Sequence, residues 1–148
     1  MYTSIVVGTD GSETAAIAVQ HALELAQLGG ATLHIVHAYH PVNPVGAALG
    51  AIDPDAVRAA LAEHGAAVCA EASAAAEQAG VAHETHVVAG DPSDALITVT
   101  EEVGADLLVV GNRGMTGVKR FVLGSVPNKV SHHAHCSVLI VDTGAPIA

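Results

Sequence analysis

The chain has no tryptophan, one phenylalanine and two tyrosines among its 148 residues. Its core must therefore be aliphatic, and it has almost no aromatic platforms on which single-stranded nucleic acid would stack. Positive charge is also scarce: five Lys and Arg stand against fifteen Asp and Glu, a formal charge of -10. That balance repels phosphate backbones and anionic headgroups, so neither nucleic acid nor a membrane is expected as a partner. Two isolated thiols, Cys69 and Cys136, offer no disulfide framework. No apolar run approaches the roughly 20 residues that span a bilayer, and no leader is expected ahead of the first one. The cytoplasm is the expected compartment.

What the chain does have is 51% hydrophobic content, supplied almost wholly by small and branched aliphatics. This length suits one α/β or α+β domain with a real core. Ser4 to Gly8 reads as a strand buried on both faces, because it is β-branched and continuously apolar. Thr9 to Glu13 follows as a turn, with Ser12 as helix cap. Ala15, Val19, Ala22, Leu23 and Ala26 then recur at helical spacing until Gly29-Gly30. Residues 31–39 form a second strand, and residues 40–52 a loop of small residues. Asp53-Pro54 and Asp91-Pro92 are helix starts, each a cap followed by proline at the first helical position. The first of these helices runs to Ala79 with Gly65 as a possible kink, and the second closes at Gly104. Between them, residues 81–89 suit an edge strand. Asp106 to Val110 is the fourth strand, Ser125 to His133 the last helix, and Ser137 to Val141 the fifth strand. Alternation of strand and helix implies a mostly parallel sheet with right-handed crossovers. In such sheets ligands bind beyond the C-terminal strand ends, where the strand order reverses. The first and fourth strands both end in glycine-containing turns, but periodicity alone does not make them neighbours.

The segment from Asp106 to Val130 concentrates the chemistry. It holds four of the five basic residues, Arg113, Lys119, Arg120 and Lys129, with no Asp or Glu between the first and the last. A glycine-rich turn ahead of a helix start presents free N–H groups and the positive end of a dipole, which together favour phosphate. No Gly-Lys-Ser/Thr triplet and no Gly-x-Gly-x-x-Gly is present, so neither standard nucleotide loop applies. On the residues alone, an anion site and a plain tight connection both stand. His132-His133-Ala134-His135-Cys136 lacks a second ligand pair at a familiar spacing, so no metal site is expected there. Ser12 and Ser125 both read as helix caps rather than nucleophiles, and Cys69 reads as a core residue, so no catalytic residue is expected.

The spacing Gly111-x2-Gly114-x9-Gly124-Ser125 resembles the ATP-binding signature of the universal stress protein family. The opening Ile5-Val6-Val7-Gly8-Thr9-Asp10-Gly11-Ser12, the Val36-His37-Ala38 strand end and the closing Ser137 to Val141 resemble the same family. The likeness covers residues 1–148 as one domain. It implies a Rossmann-like α/β sandwich: a five-stranded parallel sheet in order 3-2-1-4-5 with helices on both faces. It also implies that Gly8, Thr9 and Asp10 contact a nucleoside and that Ala38 packs on adenine. Gly111, Asn112, Arg113, Gly114 and Gly117, with the donors of Gly124, Ser125 and Val126, would take the phosphates. Asp10, an acceptor-only carboxylate, suits a ribose hydroxyl or, alternatively, a turn before Gly11. ATP, with Mg2+ accompanying it, is the expected cofactor. Pro127 departs from the family's Ser or Thr, removing a hydroxyl and an N–H, and this points to cyclic AMP or AMP as the alternative. The resemblance further implies a homodimer through the last strand and a regulatory role in stress or dormancy. A slow ATP hydrolase or autophosphorylating enzyme and a ligand-free interaction protein are the rival readings.

Overall fold

The computed structural model describes residues 1–41, 53–112 and 123–144. Their order is β1 (Ser4–Gly8), α1 (Glu13–Gly29), β2 (Thr32–Tyr39), α2 (Pro54–Gln78), β3 (His83–Ala89), α3 (Pro92–Glu102), β4 (Leu107–Gly111), α4 (Ser125–His133) and β5 (Ser137–Val141). All strands are parallel, in the order β3-β2-β1-β4-β5, so β1 and β4 are neighbours. The expected sheet is the observed one.

The capping chemistry places the helices. Ser12 Oγ accepts from the Ala15 N–H, and Asp53 and Asp91 accept from N–H groups one turn in, each ahead of a proline. Side chains alternate across the sheet. Ile5, Val7, Leu33, Ile35, Leu107 and Val109 face α1 and α2, while Val6, Val36, Leu108 and Val110 face α3 and α4. Ile5, Val6, Val7, Leu33, Ile35, Leu108 and Val109 are fully buried, each contributing roughly 1.5–3 kcal/mol of hydrophobic stabilisation. Asp106 ties the base of β4 to β1, accepting from the Thr3 and Ser4 N–H groups at 2.9–3.1 Å. Burial pushes its carboxyl pKa up, but the Thr3 and Ser4 hydrogen bonds outweigh that and hold it low.

Two strands start later than the apolar pattern predicts. The Ala31 N–H donates to Ala26 O and the Val81 N–H to Ala76 O, both at 2.9 Å. These residues close the preceding helices, so their donors are not free for the ladder. Gly65 is no break in α2, which continues through it. It packs closely on the sheet, where a Cβ would lie 2.7 Å from Val87 Cγ1 and 2.8 Å from His37 Cδ2.

Candidate functional site

At the C-terminal ends of β1 and β4, on the α3 and α4 face, lies a cleft of about 220 Å³. Its position follows from topology: crossovers leave β1 and β4 in opposite directions, and a crevice opens at that switch point. Val36, Ala38, Leu96 and Val110 make an apolar wall. Gly8, Thr9 and Asp10 form the β1 rim, and Gly111, Gly124, Ser125, Val126 and Pro127 the β4 and α4 rim. Of the expected contact residues, Gly8, Thr9, Asp10, Ala38, Gly111, Gly124, Ser125 and Val126 thus share one cavity. Asn112 stands behind it: its side chain donates to Asp142 at 3.1 Å and accepts from the Thr143 N–H at 3.0 Å. Arg113, Gly114 and Gly117, with Lys119 and Arg120, lie outside the described residues.

The β1 rim is pinned from below. The Thr9 N–H donates to Val36 O at 2.9 Å, and His37 Nδ1–H donates to Thr9 O at 2.9 Å. His37 is 6% exposed, so this bond is shielded and fixes its ring tautomer. Thr9 Oγ1 accepts from Gly11 N, and Asp10 Oδ1 accepts from Ser12 N at 2.9 Å. Asp10 therefore does shape the turn, while its carboxylate still lines the cleft with acceptor capacity to spare. Gly8 has no side chain because Leu96 occupies the space, its methyls 3.1 Å from where a Cβ would be.

The α4 rim departs from expectation in three ways. Gly124, not Ser125, is the N-cap, and no side chain caps the helix. Ser125 therefore has no capping role; it is exposed at the first helical position, and its hydroxyl makes no hydrogen bond among the described residues. The Gly124 N–H is already given to Asn112 O at 3.0 Å, which removes it as a donor. Lys129 points away, with Nζ 2.7 Å from Asp94 and 3.6 Å from Asp91 at the start of α3. Among the described residues, the first-turn donors left without a partner are thus the N–H groups of Ser125 and Val126, since Pro127 has none. Among the described residues, no Lys or Arg lines the cleft. The sequence did not single out Val36, Leu96 and Val110 as lining. Strand parity marks Val36 with Ala38, but Leu96 needed the docked position of α3.

A profile of the universal stress protein family matches residues 1–142. Universal stress protein Rv1636 of Mycobacterium tuberculosis is 36% identical over 143 residues, 96% of this chain and 97% of its own. A universal stress protein solved in complex with cAMP is 38% identical, with a TM-score of 0.70 over 97% of this chain and 98% of that one. The Archaeoglobus fulgidus universal stress protein solved in complex with dAMP is 26% identical, with a TM-score of 0.67 over 95% and 98%.

Proposed function

The chain belongs to the universal stress protein family, and on that premise we propose that its cleft binds an adenine nucleotide carrying a single phosphate, AMP or cyclic AMP. The observation that carries this is the make-up of the α4 rim: two N–H donors, Ser125 and Val126, with no partner among the described residues, followed by buried Pro127. Two N–H groups at the positive end of a helix dipole match the oxygens of one phosphate. The apolar wall of Val36, Ala38, Leu96 and Val110 suits a purine face, and Asp10 suits a ribose hydroxyl. The relative in complex with cAMP supports the same ligand class.

ATP with Mg2+ is the second reading, favoured by the glycine spacing from Gly111 to Ser125. Titration of nucleotide-free protein with AMP, cyclic AMP, ADP and ATP decides between them. The expected result is one site per chain, with the single-phosphate ligands at least tenfold tighter. Tighter ATP would install the second reading, and no binding by any of the four would remove both. Occupancy, rather than turnover, would set the protein's regulatory state in a stress response. Incubation with ATP tests this, because multiple turnover would make the protein an enzyme.

We also place the homodimer on β5, whose outer edge is paired to no strand among the described residues. Val138, Leu139 and Ile140 are half-buried there, an edge that another copy would complete. Ile140→Pro is expected to sediment as a folded monomer, and an unchanged dimer would rule this edge out.

A further inference from the structure

On the α3 and α4 face, four residues upstream of Ala38, β2 and β3 bring three ligating side chains together. Parallel register sets His34 opposite Glu84 and Val36 opposite His86. Residues two apart on β3 share a face, so Glu84 and His86 flank His34 from one side. His34 Nδ1 lies 3.1 Å from His86 Nε2 and 3.6 Å from Glu84 Oε2. One ligand atom from each residue falls within 4.8 Å of the other two.

We propose that His34, Glu84 and His86 form a site for a zinc-class divalent transition metal that clips the edge strand β3 to β2. The argument is one of size and donor type. Zn–N bonds of about 2.0–2.1 Å in a tetrahedron give ligand-to-ligand edges of about 3.3–3.4 Å. The two edges at His34, 3.1 and 3.6 Å, bracket that value, and the Glu84–His86 edge is no longer than 4.8 Å, a gap that rotation of the exposed Glu84 side chain can close. Two imidazoles and one carboxylate suit zinc and its neighbours rather than calcium or magnesium. Three protein ligands leave a fourth position for water, on the side where Glu84 is exposed.

Burial and the neighbouring His86 lower the His34 pKa, against an opposing pull from Glu84. Without metal, the 3.1 Å His34–His86 contact needs a proton on one of the two facing nitrogens. Ligation needs both as lone pairs, so the proton between them moves to the other nitrogen of the ring that carries it. In the sequence the histidines cluster most densely at His132 to His135, but the strand register places the candidate set elsewhere. This inference is independent of the nucleotide reading.

The test is titration of the full, chelator-treated chain with Co2+, followed in visible absorption and then by displacement with Zn2+. The expected result is one Co2+ per chain with intense tetrahedral d–d bands and no thiolate charge-transfer band. His86→Gln is expected to abolish the signal, and Glu84→Gln to weaken binding at least tenfold. His132→Gln/His133→Gln is expected to leave both unchanged. Glu84 is exposed, so its variant keeps the test decisive even if His86→Gln fails to fold. Absence of tetrahedral Co2+ in the parent chain would overturn the proposal. So would full binding in Glu84→Gln, or loss confined to the His132/His133 variant.

Discussion

Replacing Gly65 by alanine tests whether the α2–sheet contact is as close as the structure has it. In an unpacked helix interior the change would stabilise the fold by about 1 kcal/mol, because Gly is a poorer helix former than Ala. Here the new Cβ would lie 2.7 Å from Val87 Cγ1 and 2.8 Å from His37 Cδ2. Neither neighbour is the loose end of a flexible chain. Val87 is β-branched and stiff at χ1, and the His37 ring is held by its 2.9 Å bond to Thr9 O. Either α2 moves out, losing contacts, or His37 turns and gives up a hydrogen bond. Overpacking of this kind costs about 1–3 kcal/mol, so the net change is a loss of about 1 kcal/mol after the helix gain. For a domain of this size that lowers Tm by about 2–4 °C. Urea unfolding measures it as a lower midpoint at an unchanged slope. The loss is expected to shrink when His37 is also replaced by Ala, since the two sites share the contact. A Gly65→Ala protein more stable than the parent would refute the steric reasoning.

Three further outcomes follow from named contacts. Asp91→Ala removes an acceptor used by the Ser93 N–H, the Ser93 hydroxyl and the Asp94 N–H. The expected cost is about 1–2 kcal/mol by chemical denaturation, with little from exposed Lys129; a neutral substitution would show that α3 needs no cap. Burial first, then His86, lowers the His34 pKa, so the unfolded chain binds more protons than the folded one below about pH 6.5. Stability in chelator is therefore expected to fall as pH drops from about 7 through that value, and His34→Gln to flatten the fall; an unchanged slope would contradict it. Pro127→Ser restores a donor and a hydroxyl at the third helical position, and one charge-assisted hydrogen bond of about 1.5 kcal/mol is worth about tenfold. ATP affinity relative to AMP is expected to rise by that factor in calorimetry, and an unchanged ratio would detach Pro127 from phosphate number.

The elements were legible where local chemistry is strong. Apolar β-branched runs marked β1 and β4, and Asp-Pro pairs marked the starts of α2 and α3. Strand order was not in the periodicity; it came with the resemblance to a family. What the sequence misplaced depends on contacts between distant residues. Ser125 read as a cap from its type and position, yet the chain reaches α4 through Gly124 held to Asn112 O. Lys129 read as part of a basic island, yet α3 packs beside α4 and brings Asp94 to it. His34 lies 50 residues before Glu84 and 52 before His86, across the β2–β3 connection, and only register unites them. Half of the cleft was readable, the rims built from glycine turns, while Leu96 awaited the docking of a helix.

The most direct test of the cleft as a nucleotide site is the pattern of backbone amide shifts when AMP is titrated into isotope-labelled, nucleotide-free protein. The changes are expected to concentrate at Gly8, Thr9, Ala38, Gly111, Ser125 and Val126, with the Ser125 and Val126 amides moving furthest. Changes centred instead between α1 and α2, around Gln20, Val68 and Ala72 where a second cavity lies, would contradict the assignment, as would no change at saturating AMP.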